Sequence, residues 1–154
     1  CIRDRLKAQI SMIKECVGVW EGNMSIYHQG VLRNNVDVRL TITEADSINT
    51  WSWKTEYLSE KMPVVKDYKL KLVDEKKNLY VIDEGDGIEL NTYQFGNKLF
   101  SLFETSDIYL TSTYELAEGN LIFEVTSGKQ LTTDKDVNNF SVTNLQRVVF
   151  KKVK

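Results

Sequence analysis

Residues 10–26, ISMIKECVGVWEGNMSI, contain the change of period that decides the fold. Before Gly18 the apolar residues Ile2, Leu6, Ile10, Ile13 and Val17 recur at spacings of three and four, with Lys, Arg and Gln among them. That spacing predicts one amphipathic helix over 3–16, packed against one end of the domain. It lacks the aromatic anchor that a membrane-surface helix uses. From Gly18 onward the period is two. Trp20, Met24 and Ile26 fall on one face of a strand, and Val19, Glu21 and Asn23 on the other. Gly22 lies in the middle of that strand, where a glycine marks a bend or a bulge.

The same period continues along the chain. Val36, Val38, Leu40 and Ile42 alternate with Asp37, Arg39, Thr41 and Thr43, as in a half-buried strand. Trp51, Trp53, Thr55 and Tyr57 share one face of the next strand, against Ser52, Lys54 and Glu56. Tyr68, Leu70 and Leu72 alternate with Lys69 and Lys71, and 79–82, 88–95, 99–104, 108–116, 121–126 and 144–153 read as further strands. Gln29-Gly30 and Gly96-Asn97 are turn signals between them. The polar stretch 127–143 reads as the longest irregular segment. Short connections favour antiparallel neighbours, and closing such a meander removes its exposed edges. The expected fold class is all-β, an antiparallel up-and-down β-barrel of about eight to ten strands with a short N-terminal α-helix. One domain covers 1–154, with the helix at 3–16 and the barrel at 18–153.

Composition bounds the function. The 154 residues are 42% apolar and 27% charged, and 20 basic against 22 acidic side chains leave a net charge of -2. A dedicated nucleic-acid binder would carry a basic excess, so nucleic acid is not an expected partner. No apolar run approaches the ~18 residues of a membrane-spanning helix. Cys1 and Cys16 bracket the helix and would lie roughly 20 Å apart along it, too far for a disulfide. A cysteine at position one is what a bacterial lipoprotein shows after signal cleavage. The expectation is therefore a cell-envelope or periplasmic protein, with membrane contact only through a lipid anchor on Cys1. The alternative is that Cys1 is simply a boundary within a longer chain.

A helix leading into Gly18-x-Trp20, a meander, and Arg147 on the last strand together resemble the lipocalin and wider calycin families, and a bacterial lipocalin-like protein in particular. The resemblance implies that Trp20 packs across the barrel base and that Arg147 lies over its ring. Gly18, Trp20 and Arg147 would then close the barrel, since a guanidinium over an indole gains a cation–π contact. Thr105-Ser106-Asp107-Ile108-Tyr109 is a loose echo of the middle motif of the classical members. The resemblance also implies one open mouth that binds a small apolar molecule.

No catalytic constellation stands out. His28, the only histidine, sits beside a turn and reads as a surface residue. One histidine and two distant cysteines do not make a zinc site, and the resemblance to haem-binding calycins lacks their late histidine. Asp83-Glu84-Gly85-Asp86-Gly87 does not have the spacing of an EF-hand and reads as a solvated hairpin turn. No cofactor is implied. The aromatic set says more. Trp51, Trp53, Tyr57, Tyr68, Phe103, Tyr114 and Phe123 can face one interior, either as core filling or as the lining of a pocket. Thr55, Thr92, Ser101 and Ser112, if inward, favour a cavity, because buried hydroxyls need partners. The first reading is non-catalytic binding of a small hydrophobic or amphipathic ligand in the barrel interior. The second is a structural or interaction domain of the bacterial envelope with a filled barrel, presenting an outer apolar patch at Val148 and Phe150. An enzyme acting on a bound lipid is the third, with no titratable pair singled out. Oligomeric state is not legible.

Overall fold

The computed structural model describes residues 12–132 and 136–154. Residues 12–16 are helical. The rest of the helix expected over 3–16 lies outside the described residues, as does Cys1 with its expected anchor. Ten strands follow: β1 (Gly18–His28), β2 (Val31–Glu44), β3 (Thr50–Tyr57), β4 (Val64–Asp74), β5 (Leu79–Asp83), β6 (Glu89–Phe95), β7 (Lys98–Thr105), β8 (Ile108–Ala117), β9 (Asn120–Leu131) and β10 (Asn139–Lys152). Each pairs antiparallel with its sequence neighbour, and β1 pairs with β10 to close the barrel. The all-β class and the up-and-down barrel expected from the alternation are what the chain adopts.

Closure gives the barrel two unlike ends. At the base, where β1 begins and β10 ends, Met12, Ile13 and Cys16 of the helical segment are buried against Trp20, Leu40, Ile42, Leu99, Leu121 and Phe150. At the mouth, β1 and β2 join through Gln29 and Gly30, both left-handed (φ 50° and 77°), as a two-residue hairpin requires. Strand twist makes β1 cross β10 closely near the base. A Cβ on Gly22 would stand 2.6 Å from the Val149 carbonyl oxygen, so glycine is the residue that fits there.

The residue over Trp20 is Lys152, which corrects the expectation for Arg147. Trp20 stands opposite Lys152 in the β1–β10 register, and Lys152 Nζ is 5.1 Å from the indole centroid. Lys152 Nζ also donates to the Glu15 carbonyl at 2.8 Å, and Trp20 Nε1 donates to the Cys16 carbonyl at 2.7 Å. Carbonyls at the end of a helix lack intrahelical partners, and these two donors supply them. Arg147 lies opposite Ser25 and binds Glu124 Oε1 through Nε at 2.9 Å. The reason is parity: Val148 and Phe150 point inward and are buried, so position 152 faces the base and position 147 faces outward. The same parity removes the outer patch expected at Val148 and Phe150.

A second difference concerns 127–143. Of the described residues in that stretch, 127–131 and 139–143 belong to the sheet. β9 runs on to Leu131 and β10 starts at Asn139, paired from Asn139↔Leu131 onward. These strand ends lie beyond the packed core and are rich in polar residues, so no apolar alternation marks them. A register shift between Val142 and Asn144 breaks what alternation remains.

Candidate functional site

The inward faces of β3 to β10 leave a cavity of about 240 Å³ in the mouth half of the barrel. Its floor is aromatic. The Tyr114 and Phe123 rings stack at 4.4 Å and 17°, and Trp53 stands edge-on to Tyr114 at 5.2 Å and 81°. Adjacent strands fix this arrangement, because Tyr114 and Phe123 are register partners on β8 and β9. Ile82, Leu90, Phe103, Leu110 and Val125 add apolar wall. Hydroxyls of Thr55, Ser101, Ser112 and Ser127 and the amides of Asn144 and Gln146 interrupt it. At the rim stand Tyr57, Lys66, Tyr68 and Glu84.

The polar groups differ in how they are satisfied. The Thr92 and Ser101 hydroxyls bond each other at 2.7 Å, and Thr92 Oγ1 also donates to the Leu90 carbonyl at 3.3 Å. Asn144 Oδ1 lies 2.6 Å from Nδ1 of the exposed His28, which accounts for the single histidine as a surface partner of the rim. Burial, and then the charge and hydrogen bond of Glu84, push the Tyr68 phenol up to about 12. Burial also raises Tyr114, against the opposing effect of the donors Trp53 and Thr55. Both phenols therefore keep their protons beyond the pH at which a free phenol loses its own. Lys66 Nζ lies 5.3 Å from the centroid of the Tyr57 ring. The ion pairs among the described residues are Arg39–Glu21, Lys71–Asp83, Lys98–Glu115 and Arg147–Glu124, and Lys66 belongs to none of them.

Of the aromatic residues expected at an interior, Tyr57, Tyr68, Phe103, Tyr114 and Phe123 line the cavity. Trp51 and Trp53 face inward but lie below it in the packed core, Trp51 beside Tyr80 at 6.4 Å. Of the expected hydroxyls, Thr55, Ser101 and Ser112 reach the lining, and Thr92 is buried against Ser101. Lys66, Glu84, Ser127, Asn144 and Gln146 were not singled out by the sequence reading. Counting back by two from Tyr68 reaches Lys66, and counting forward by two from Phe123 reaches Ser127. The Asp83–Gly87 stretch is a turn whose first carboxylate is spent: Asp83 accepts from Lys71 Nζ at 2.8 Å and from the Gly85 backbone N–H at 2.9 Å. Tyr93 and Phe95 of β6 and Phe100 and Leu102 of β7 are among the exposed apolar side chains of the strands.

No protein-family model matches the chain, and no curated protein matches it in sequence. Solved structures do match in fold. The S-type phycobiliprotein lyase CPES from Guillardia theta superposes with a TM-score of 0.68 at 10% identity, over 96% of this chain and 93% of that one. A protein of unknown function from the DUF3598 family of Nostoc punctiforme gives 0.62 at 12% identity, over 92% of this chain and 49% of that one. Rv2717c from M. tuberculosis gives 0.59 at 8% identity, over 95% and 98% of the two chains. At such identities the likeness is one of fold, and this chain's fold is a closed barrel of ten antiparallel strands.

Proposed function

We propose that this barrel is a binding module that holds a small amphipathic molecule in its mouth half, without covalent chemistry. The observation that carries the reading is the division of the interior. The base is packed with buried apolar side chains, whereas the mouth half keeps a cavity of about 240 Å³ with a stacked aromatic floor and hydroxyl-bearing walls. An apolar surface with a few placed polar groups is the usual form of a small-molecule site. Burial of apolar ligand surface supplies affinity at about 25 cal/mol per Å² before the costs of association. The fold shared with a phycobiliprotein lyase supports a small-molecule reading and brings a bilin as one candidate. Only part of so large a molecule would enter this cavity.

The filled-barrel reading keeps one observation in its favour. The cavity is smaller than the roughly 300–1,000 Å³ common for ligand pockets. Native mass spectrometry with solvent extraction, on protein purified from its own source, separates the two. A bound small molecule near one-to-one supports the binding module. Protein that arrives empty and takes up no amphipathic probe supports the filled barrel.

A further inference from the structure

We infer that the cavity selects a small flat acid, its ring system against the Tyr114–Phe123 floor and its carboxylate at Lys66. This inference rests on the reading of the cavity as a ligand site and adds the class of ligand. The floor favours an aromatic partner, because a further ring packs on the Tyr114–Phe123 pair either edge-to-face or with an offset. The rim favours an anion. Lys66 has the inward parity of Tyr68 and Leu70 and lines the cavity, yet none of the ion pairs among the described residues includes it. Glu84, the acidic side chain in the lining, forms no ion pair with Lys66. The contact that Lys66 does make is with the face of Tyr57. A ring face attracts the ammonium without neutralising it, so its charge remains available to an entering carboxylate.

Size follows from volume. A cavity of about 240 Å³ lies below the roughly 300–1,000 Å³ of drug-sized pockets and so suits a small molecule of one or two rings. The hydroxyls of Thr55, Ser112 and Ser127 can donate or accept, so they serve an acid and its neutral analogue alike. Discrimination between the two therefore falls to Lys66.

The test is equilibrium dialysis of the full chain against paired probes, benzoate with benzamide and naphthoate with naphthamide. It is run on the unmodified protein, Lys66→Ala and Lys66→Arg, at low and at high salt. Lys66 is exposed, so both variants should fold, and circular dichroism checks that they do. The expected result is a preference for the acid of roughly fivefold, as for a partly exposed ion pair. It should disappear in Lys66→Ala, persist in Lys66→Arg, and shrink at high salt. Acids and amides that bind equally well, or a preference that survives Lys66→Ala, would overturn the acid class and leave the cavity as a ligand site. If no probe binds at all, the acid class and the reading of the cavity fall together.

Discussion

Lys152 makes two contacts at the barrel base, one with the Trp20 ring and one with the Glu15 carbonyl, while Arg147 pairs with Glu124 on the outer wall. The two cations should therefore differ in what they contribute. Removing a cation–π contact together with a charged hydrogen bond costs about 1–2 kcal/mol, so Lys152→Ala should lower stability by that amount in urea denaturation. Arg147→Ala removes an exposed ion pair and should change stability by no more than about 0.5 kcal/mol. Equal losses in the two variants would contradict the assignment. The sequence made Trp20 legible, because a tryptophan just after a helix-to-strand change has few places to go. The partner cation was not legible from the Gly-x-Trp and Arg motif alone. Parity held the answer: Phe150 is inward, 152 has its parity and 147 does not.

Among the strands, the β1–β10 seam and the hairpins are where backbone geometry decides most. A methyl group on Gly22 would meet the Val149 carbonyl oxygen at 2.6 Å and Val148 Cγ2 at 2.7 Å. Backbone cannot yield as a flexible side chain does, so Gly22→Ala should destabilise by about 1–3 kcal/mol in thermal or urea unfolding. The β7–β8 hairpin offers the opposite case. Its two turn residues, Ser106 and Asp107, are both left-handed (φ 50° and 64°) without being glycine. Asp107→Gly relieves that strain and should stabilise by about 0.5–1 kcal/mol, read as a raised melting temperature. Strand identity was legible wherever one face is buried, as in Val38, Leu40 and Ile42 of β2 or Trp51 and Trp53 of β3. It was illegible in β9 and β10 near the mouth, where polar residues such as Lys129, Gln130 and Asn139 are exposed and a register shift interrupts the alternation. That loss also hid Asn144 and Gln146, since the register shift before Asn144 resets which residues face inward.

The whole molecule is a barrel packed at one end and hollow at the other, and its titration behaviour follows from the burial. Burial first pushes Cys16, Tyr68 and Tyr80 up to about 12 and raises Tyr114 as well; the Lys152 charge opposes it at Cys16, neighbouring acids add to it at Tyr68 and Tyr80, and local donors oppose it at Tyr114. Their ordinary values are 9.0 for the thiol and 10.0 for the phenols. Above those values the unfolded chain loses these protons while the folded one keeps them, so rising pH favours unfolding. The stability these groups contribute should be fully present below about pH 9 and be lost between there and about pH 12. Melting temperatures followed by circular dichroism across that window should be level and then fall. A level profile to the alkaline end would contradict the burial of these groups.

The division into packed base and hollow mouth was only half legible. The aromatic residues that face inward could be counted from the alternation, but whether they touch or leave a gap depends on strand stagger, which a period of two does not encode. The most direct test is methyl-resolved NMR of the full chain titrated with a panel of small amphipathic molecules, benzoate, naphthoate and short fatty acids among them. Binding in the mouth predicts shifts at Ile82, Leu90, Leu110 and Val125, which line the cavity, with Leu40, Ile42 and Leu121 at the base unmoved. A panel that moves none of the four cavity methyls, or moves only Leu102 on the outer wall, would contradict a ligand site in the barrel.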